Sequence, residues 1–277
     1  MRITLLGSGT SSGVPMIACD CPVCTSDDPR DRRLRVSAMI ETVDAEGKYR
    51  VILIDAGPDL RQQALRHDIW RCDAILLTHN HVDHVFGLDE TRRFNAVMKQ
   101  AIEVYADRHT VESIRRVYQH IFQPERSVNN SFVASLETKV TDADSHLHLF
   151  GLNIKPVPLK HGNLPILGFR IEDTLEGHYS GPVAFCTDVS EIPADSYELL
   201  RDLDVLFLDA LRPHPHPTHF TLERATEEAK KIAAGQTYFV HMAHSLGHAA
   251  TEAILPDGIN LGYDGLSFGD EITCVRR

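Results

Sequence analysis

Apolar residues along this chain come in short runs, each broken by glycine, proline or acidic residues. Residues 2–6, Val36–Val43, Tyr49–Ile54, Ala74–Leu77 and Ile102–Tyr105 predict strands in the first half, with Asp44-Ala45-Glu46-Gly47 as the turn between the second and third. Leu152–Leu159, Ile166–Ile171, Val183–Cys186, Leu203–Leu208 and Thr237–Val240 predict strands in the second half. Helical patterns lie between them. One helix begins near Asp59, another opens over Gly87–Asn95, and His109–Phe122 sets Val111, Ile114, Val117, Tyr118 and Ile121 on one core-facing stripe. Ser190 and Glu191 open a further helix, and Thr218–Leu222 leads into one that runs to Ala234. Residues 123–145 are polar and weakly patterned, and predict a lid or a plain loop. Residues 259–274 predict a hairpin around Tyr263-Asp264-Gly265. Strands alternating with helices make an α/β protein, which can equally be filed as α+β.

The chain has 277 residues, 43% of them hydrophobic, enough to bury a sizeable core as one domain over residues 1–277. No internal repeat, linker or low-complexity segment interrupts it. Its net charge of −11 gives a long nucleic acid no general electrostatic help, which counts against a polymer substrate without excluding one. No apolar run approaches the ~20 residues that span a bilayer. Met1–Gly7 has neither the long apolar region nor the cleavage site of a signal peptide, so a cytoplasmic protein is expected, with no membrane partner. In that compartment the six Cys are thiols or metal ligands rather than disulfides.

The chemistry concentrates where the strand Ala74–Leu77 ends. His79-x-His81-x-Asp83-His84 sets four potential metal ligands at a point where the chain can turn and neighbouring side chains can converge. Imidazoles and a carboxylate suit Zn²⁺, Mn²⁺ or Fe²⁺. Upstream, Cys19, Cys21 and Cys24 form a C-x-C-x₂-C triplet, three quarters of a structural zinc site. The loop Gly7-Ser8-Gly9-Thr10-Ser11-Ser12-Gly13 lacks the Gly-Lys-Ser/Thr ending of a phosphate-binding loop and reads as a tight, glycine-permissive turn. Arg30, Arg32, Arg33 and Arg35, interleaved with Asp28 and Asp31, could meet a phosphate but read more simply as a solvated face.

The string His79 to His84 is the signature of the metallo-β-lactamase superfamily, and the chain resembles that family over nearly its whole length. The glycine-rich loop and the Cys triplet are similar to those of its branch holding tRNA 3′-processing nucleases and the phosphonate-pathway cyclic phosphodiesterase. The resemblance implies a four-layer αββα sandwich with two divalent ions, Zn or Mn. His79, His81 and His161 would hold the first, Asp83, His84 and His241 the second, and Asp188 would bridge them. Taken alone, His161 is a lone histidine and Asp188 a turn cap; only the family pattern makes them ligands. Asp55 would orient a ligand imidazole, cap the helix near Asp59, or do both. Asp209 is placed behind the ligands in the same way. His219, just before a helix, matches the histidine that assists catalysis in that branch. His244 would complete the zinc site of the Cys triplet. Val240 and Ala243 replace the Thr and Ser of the branch pattern around His241 and His244, which puts shared substrate contacts in doubt. His214 and His216 have no assigned role, and either Arg92 or Arg93 is a candidate to reach the pocket.

The implied activity is hydrolysis of a small cyclic or nucleotide-like phosphodiester. Two dications about 3.5–4 Å apart share and acidify a water, Asp83 orients it, and His219 serves the leaving oxygen. Three alternatives share the metal loop. A tRNA 3′-processing endoribonuclease would need a protruding arm and a basic surface. A carboxylic ester, thioester or lactam hydrolase would not need His219. A non-catalytic nucleotide-binding protein would turn over no ester. A homodimer is compatible with the sequence.

Overall fold

The computed structural model describes residues 1–123, 131–174 and 181–272. The predicted sandwich is present, as two seven-stranded sheets. The first contains β1 (Arg2–Gly7), β2 (Ser37–Val43), β3 (Tyr49–Ile54), β4 (Ala74–Leu76), β5 (Ile102–Ala106) and β6 (Leu136–Val140), with β14 (Ser267–Gly269) on its far edge beside β1. The second runs β13 (Ile259–Leu261), β12 (Gln236–Val240), β11 (Val205–Asp209), β10 (Val183–Cys186), β9 (Leu164–Asp173), β8 (Leu152–His161) and β7 (Leu147–Leu149). In each sheet one half is antiparallel and the other parallel: β3 to β6 in the first, β10 to β13 in the second.

Three apolar layers hold the sheets and helices together. Ile52 and Ile54 of β3 face Phe169, Phe185 and Phe207 between the sheets, whereas Val51 and Leu53 face outward. Both faces are covered, which is why these strands read as continuous apolar runs and not as alternating ones. The outer face of the first sheet packs on Leu60 of α1 (Leu60–Arg66), Phe94 of α3 (Arg92–Met98), and Val111 and Ile114 of α4 (Arg108–Val117). On the second sheet the outer layer is Ala225 and Ala229 of α6 (Leu222–Ile232). Each fully buried large apolar side chain contributes ~1.5–3 kcal/mol over its exposed state.

Several elements differ from the sequence expectation. The helix expected over His109–Phe122 breaks at Tyr118, whose hydroxyl donates to Val85 O at 3.0 Å, and resumes as α5 (Gln119–Phe122). The break rotates Val117 out of the stripe to 47% exposure, while Val111, Ile114, Tyr118 and Ile121 stay buried. Part of the expected lid or loop over 123–145 is the edge strand β6, recruited by parallel pairing of Ile102 with Leu136; residues 124–130 lie outside the described residues. No helix opens at Ser190. The Ser190 N–H donates to Lys160 O instead, and a 3₁₀ turn follows over Ala194–Leu200. The hairpin expected over 259–274 does not exist within the described residues: β13 joins the second sheet and β14 the first, and residues 273–277 lie outside the described residues. Buried Asp264 enforces the separation by accepting from Ser8 N, Ser8 Oγ and Leu34 N. No helix among the described residues is long and apolar enough to cross a membrane.

Candidate active site

Parallel strands place their carboxyl ends along one edge, and here the two sheets bring those ends together. The chain leaves β4 through His79 to α2 (Val82–Val85), which carries Asp83 and His84. Asp188 follows β10 and His241 follows β12. Asp55 after β3, Asp188 and His241 all have positive φ, at 62°, 59° and 59°. This left-handed backbone costs ~1–2 kcal/mol per non-glycine residue and is typical of functional sites. It swings each side chain off the strand end into the space between the sheets. Gly57 makes the same junction possible on the first sheet, since a Cβ there would lie 2.0 Å from Asp83 O.

Two groups of potential ligand atoms result, each drawn together within 4.8 Å: His79, His81 and His161, and Asp83, His84, Asp188 and His241. Asp188 also lies within that distance of His161 and His219, so it touches both groups. His79, His84, His241 and Asp188 are at most 2% exposed, whereas His81 is open to solvent.

Hydrogen bonds fix which edge of His79, His84 and His161 faces inward. Thr78 Oγ1 gives its proton to Asp55, so the neighbouring His79 Nδ1 at 3.0 Å is the donor to Thr78 Oγ1. His84 Nδ1 donates to Asp55 Oδ2 at 2.7 Å, and His161 Nδ1 to Thr218 O at 2.8 Å. His241 Nδ1 lies 3.5 Å from Asp209 Oδ1. The Nε2 lone pairs are left facing the centre. The buried Nε2 atoms of His79 and His84 make no hydrogen bond. Around the second group, His84 Nε2 stands 3.4 Å from Asp83 and 3.3 Å from Asp188, and His241 Nε2 stands 3.5 and 3.3 Å from the same two carboxylates. Ligands about 2.0 Å from a tetrahedral ion are separated by edges of about 3.3 Å. The donor set, its inward lone pairs and its spacing therefore fit a divalent ion.

The electrostatics fit as well. Burial alone would push both imidazoles down, and it does drive His79 well below the usual range, helped by His84. At His84 burial is outweighed by Asp188, Asp55 and Asp83, which lift it well above that range. Burial opposes the charged form of Asp188, yet His241 and His84 hold its carboxyl well below the ordinary value. The centre therefore favours positive charge among its carboxylates.

His219 packs against this centre, stacked on His241 at 4.8 Å and edge-on to His161 at 4.6 Å. Its Nδ1 donates to Asp209 Oδ1 at 3.1 Å, and the buried carboxylate also accepts from Asp188 N and Phe220 N. Asp55 binds His84 and Thr78, and the helix cap suggested for it is not made; Asp59, at the start of α1, instead pairs with Arg35.

The Cys triplet meets His244 as expected. His244 Nδ1 lies 3.3 Å from Cys19 Sγ, 3.3 Å from Cys21 Sγ and 3.6 Å from Cys24 Sγ. A tetrahedron with Zn–S of about 2.3 Å and Zn–N of about 2.0 Å has S···N edges of about 3.5 Å, so this set fits zinc. The glycine-rich loop braces both sites. Thr10 N donates to Met242 O and Met242 N to Ser8 O, between His241 and His244, and Gly9 fits because its missing Cβ would meet Arg33 at 2.9 Å.

The arginines are the main correction. Arg33 is no part of a solvated face. It is 1% exposed, pairs with Asp31 at 3.0 Å, and donates to Ala243 O and Leu246 O on either side of His244. Asp31 is a sequence neighbour, but the carbonyls that draw Arg33 inside are 210 and 213 residues away and leave no local signal. Arg30 pairs with Asp28 at the surface. Arg92 pairs with Asp89, and Arg93 lines a groove with Leu60, Ala64 and Phe94 that shares no residue with the centre. His216 lies 5.0 Å from the His219 ring, with Nδ1 accepting from Thr218; His214 is exposed, its carbonyl accepting from Arg212.

Comparison with known proteins agrees with this geometry. Residues 50–242 match the model of the β-lactamase superfamily domain. A solved diphosphatase from the PhnP family is 42% identical, with 99% of each chain covered and a TM-score of 0.84. The Zn²⁺-bound PqqB of Methylobacterium extorquens, at 21% identity, covers 97% of this chain and 99% of its own with a TM-score of 0.76, and shares the fold. A Porphyromonas gingivalis protein named octanoyltransferase is 40% identical over 96% of this chain, but the chain spans only 51% of that relative's length. Family match, fold and site together establish that the chain belongs to the metallo-β-lactamase superfamily.

Proposed function

We propose that the chain hydrolyses a small phosphodiester or phosphoanhydride with two divalent ions, Zn or Mn, at the centre. His79, His81 and His161 would hold one ion and Asp83, His84 and His241 the other, with Asp188 within reach of residues in both groups. Cys19, Cys21, Cys24 and His244 hold a separate structural Zn. The observation that carries the reading is the contact of the His219–Asp209 pair with both ligand groups, through His161, Asp188 and His241. The 42% identity to a diphosphatase over the whole chain supports phosphorus, not carbon, as the electrophile.

When bound, two dications neutralise charge on a phosphoryl group and bring the pKa of water towards ~7. The protein's own groups do the rest. Asp55, Thr78 and Thr218 hold the Nδ1 edges of His84, His79 and His161, so these imidazoles need no reorganisation during reaction. Asp83 accepts a hydrogen bond from the attacking water and aims it at phosphorus. Asp209 keeps the Nδ1 proton of His219 in place, and Nε2 delivers a proton to the leaving oxygen.

The test is elemental analysis of the purified protein and of His79→Ala and Cys21→Ala, with turnover of bis(p-nitrophenyl) phosphate. Three metals per chain are expected. Cys21→Ala loses one zinc and keeps turnover, and His79→Ala loses turnover. A protein with one metal, unaffected by His79→Ala, or inert on phosphodiesters and diphosphates when loaded, would overturn the reading.

A further inference from the structure

We propose that His216 binds the leaving group, and that this group is itself a phosphate, so that the substrate is a phosphoanhydride and not an alkyl diester; the inference rests on the phosphohydrolase reading above. His216 sits in a loop, residues 212–221, pinched at its base where Leu211 N donates to Phe220 O at 3.1 Å and Leu222 N to Arg212 O at 3.0 Å. Pro213, Pro215 and Pro217 fix φ at three positions within it. Arg212 spans the loop, donating from Nε to His214 O at 3.2 Å and from Nη2 to Pro215 O at 2.8 Å.

Thr218 ties this loop to the centre. Its carbonyl accepts from His161 Nδ1, and its Cγ2 packs so closely on Gly162 that a Cβ there would lie 2.8 Å away. Its N–H and its hydroxyl donate to His216 Nδ1 at 3.3 and 3.1 Å. A backbone N–H can only donate, so Nδ1 of His216 presents its lone pair and the neutral ring carries its proton on Nε2. That ring stands 5.0 Å from the ring of His219, which also packs on His161 and His241. Of the three imidazoles against His219, His161 and His241 are buried and His216 is half-buried, which puts His216 on the side where a leaving group departs. One residue, Thr218, thus orients a ligand imidazole and a donor imidazole, both in contact with the group that serves the leaving oxygen.

A fixed donor at this place selects its occupant. In a phosphoanhydride the atom beyond the leaving oxygen is a second phosphorus, whose anionic oxygens accept a charge-assisted hydrogen bond. In an alkyl diester that atom is a carbon, which accepts none. Burial, then the neighbouring His219 and Arg212, hold the pKa of His216 below the ordinary histidine value, so at neutral pH the ring keeps this tautomer. In a chain of net charge −11, the Arg212 guanidinium also supplies local charge of the sign that an anionic leaving group needs.

The experiment compares symmetrical dimethyl diphosphate with methyl phenyl phosphate, using metal-loaded wild type, His216→Asn and His216→Gln. In the first compound water adds to one phosphorus as its bond to the bridging oxygen breaks, and methyl phosphate leaves with a proton from His219; in the second, phenol leaves in the same way. An Asn side chain can still accept from Thr218 but does not reach the Nε2 position, whereas a Gln side chain does. Wild type is expected to favour the diphosphate. His216→Asn is expected to cut the ratio of kcat/KM values, diphosphate over diester, at least tenfold, and His216→Gln to recover most of it, with bound metal at the wild-type level in both. The change in this ratio is independent of the intrinsic reactivity of the two bonds. Competitive inhibition by methyl phosphate should weaken in His216→Asn and recover in His216→Gln. A wild-type preference for the diester, a ratio unchanged in His216→Asn, an equal loss in both variants, or a loss of metal that parallels the ratio would overturn the proposal. If wild type turns over neither compound, the hydrolase reading fails. Calorimetric binding of methyl phosphate to the metal-loaded protein then decides the subsite alone, supported by weakening of at least fivefold in His216→Asn and overturned by no binding in wild type or by smaller weakening in the variant.

Discussion

His219 Nδ1 donates to Asp209 Oδ1 at 3.1 Å in a pocket where the carboxylate is fully buried and the imidazole nearly so. Burial raises the carboxyl pKa of Asp209, and His219 is the first partner that opposes the rise. This pair sets the tautomer of His219, so two variants separate its roles. His219→Ala should lower kcat ~10²–10⁴-fold on alkyl diesters, the range for loss of a general acid. The loss should be much smaller on p-nitrophenyl esters, whose leaving group needs no proton. Asp209→Asn should show the same dependence on leaving group. An equal loss on both ester types would remove His219 from proton transfer.

Asp55 is the partner of His84 Nδ1 at 2.7 Å and of Thr78 beside His79. Asp55→Asn should weaken divalent-ion binding at the centre ~10–100-fold, as other losses of an orienting carboxylate do. The ion of the Cys triplet should be retained. Competition with a chelator, followed by elemental analysis, measures both at once.

Arg33 is buried with Asp31 and clamps the carbonyls of Ala243 and Leu246. Removing one partner of such a pair leaves an uncompensated buried charge and costs ~3–5 kcal/mol. Arg33→Met should therefore lower the unfolding free energy extracted from urea denaturation by that amount, and it should also weaken any ion held by the Cys triplet and His244. A change below ~1 kcal/mol would mean that the guanidinium is structurally idle.

His248, at the start of α7 (His248–Glu252), has its pKa pushed down to about 4 by burial, then by Arg30 and Arg33. The unfolded chain takes up this proton near pH ~6.5 and the folded chain only near the lower value. Full stability is therefore present above pH ~6.5, and the group's contribution is lost as pH falls from there towards 4. The His248→Asn variant should lose less stability than wild type between pH 7 and 4.5. Parallel melting curves across that range would show that the histidine does not titrate as described.

Gly57 approaches Asp83 O so closely that any side chain must displace the metal loop. Gly57→Ala is expected to reduce bound metal at the centre sharply, with far-ultraviolet circular dichroism close to wild type. Metal content is the measurement, and an unchanged value would show that the loop can give way.

What could be read from the chain was local. His79, His81, Asp83 and His84 are contiguous and follow an apolar strand, so the spacing alone identified a ligand cluster. Cys19, Cys21 and Cys24 did the same for the loop that meets His244. The apolar runs identified β1 to β5 and β8 to β12, because strands covered on both faces must be apolar throughout, and missed the edge strands β6 and β7, which are largely exposed or half-buried. His161, Asp188 and His241 were reached only through family resemblance, since a single His or Asp after a strand has no distinguishing pattern.

The tertiary structure decided what depends on distant partners. β13 and β14 are near neighbours in sequence yet join opposite sheets, because hydrogen bonds to β12 and β1 claim them separately. Arg33 belongs to the interior only because Ala243 and Leu246 supply carbonyls there. The positive φ values at Asp55, Asp188 and His241 are backbone states that residue type does not dictate, and the packed sheets impose them. The sequence by itself determined which atoms could bind metal. The fold determined which of them meet, because convergence within 4.8 Å is a property of strand ends from two sheets and not of any one stretch of chain.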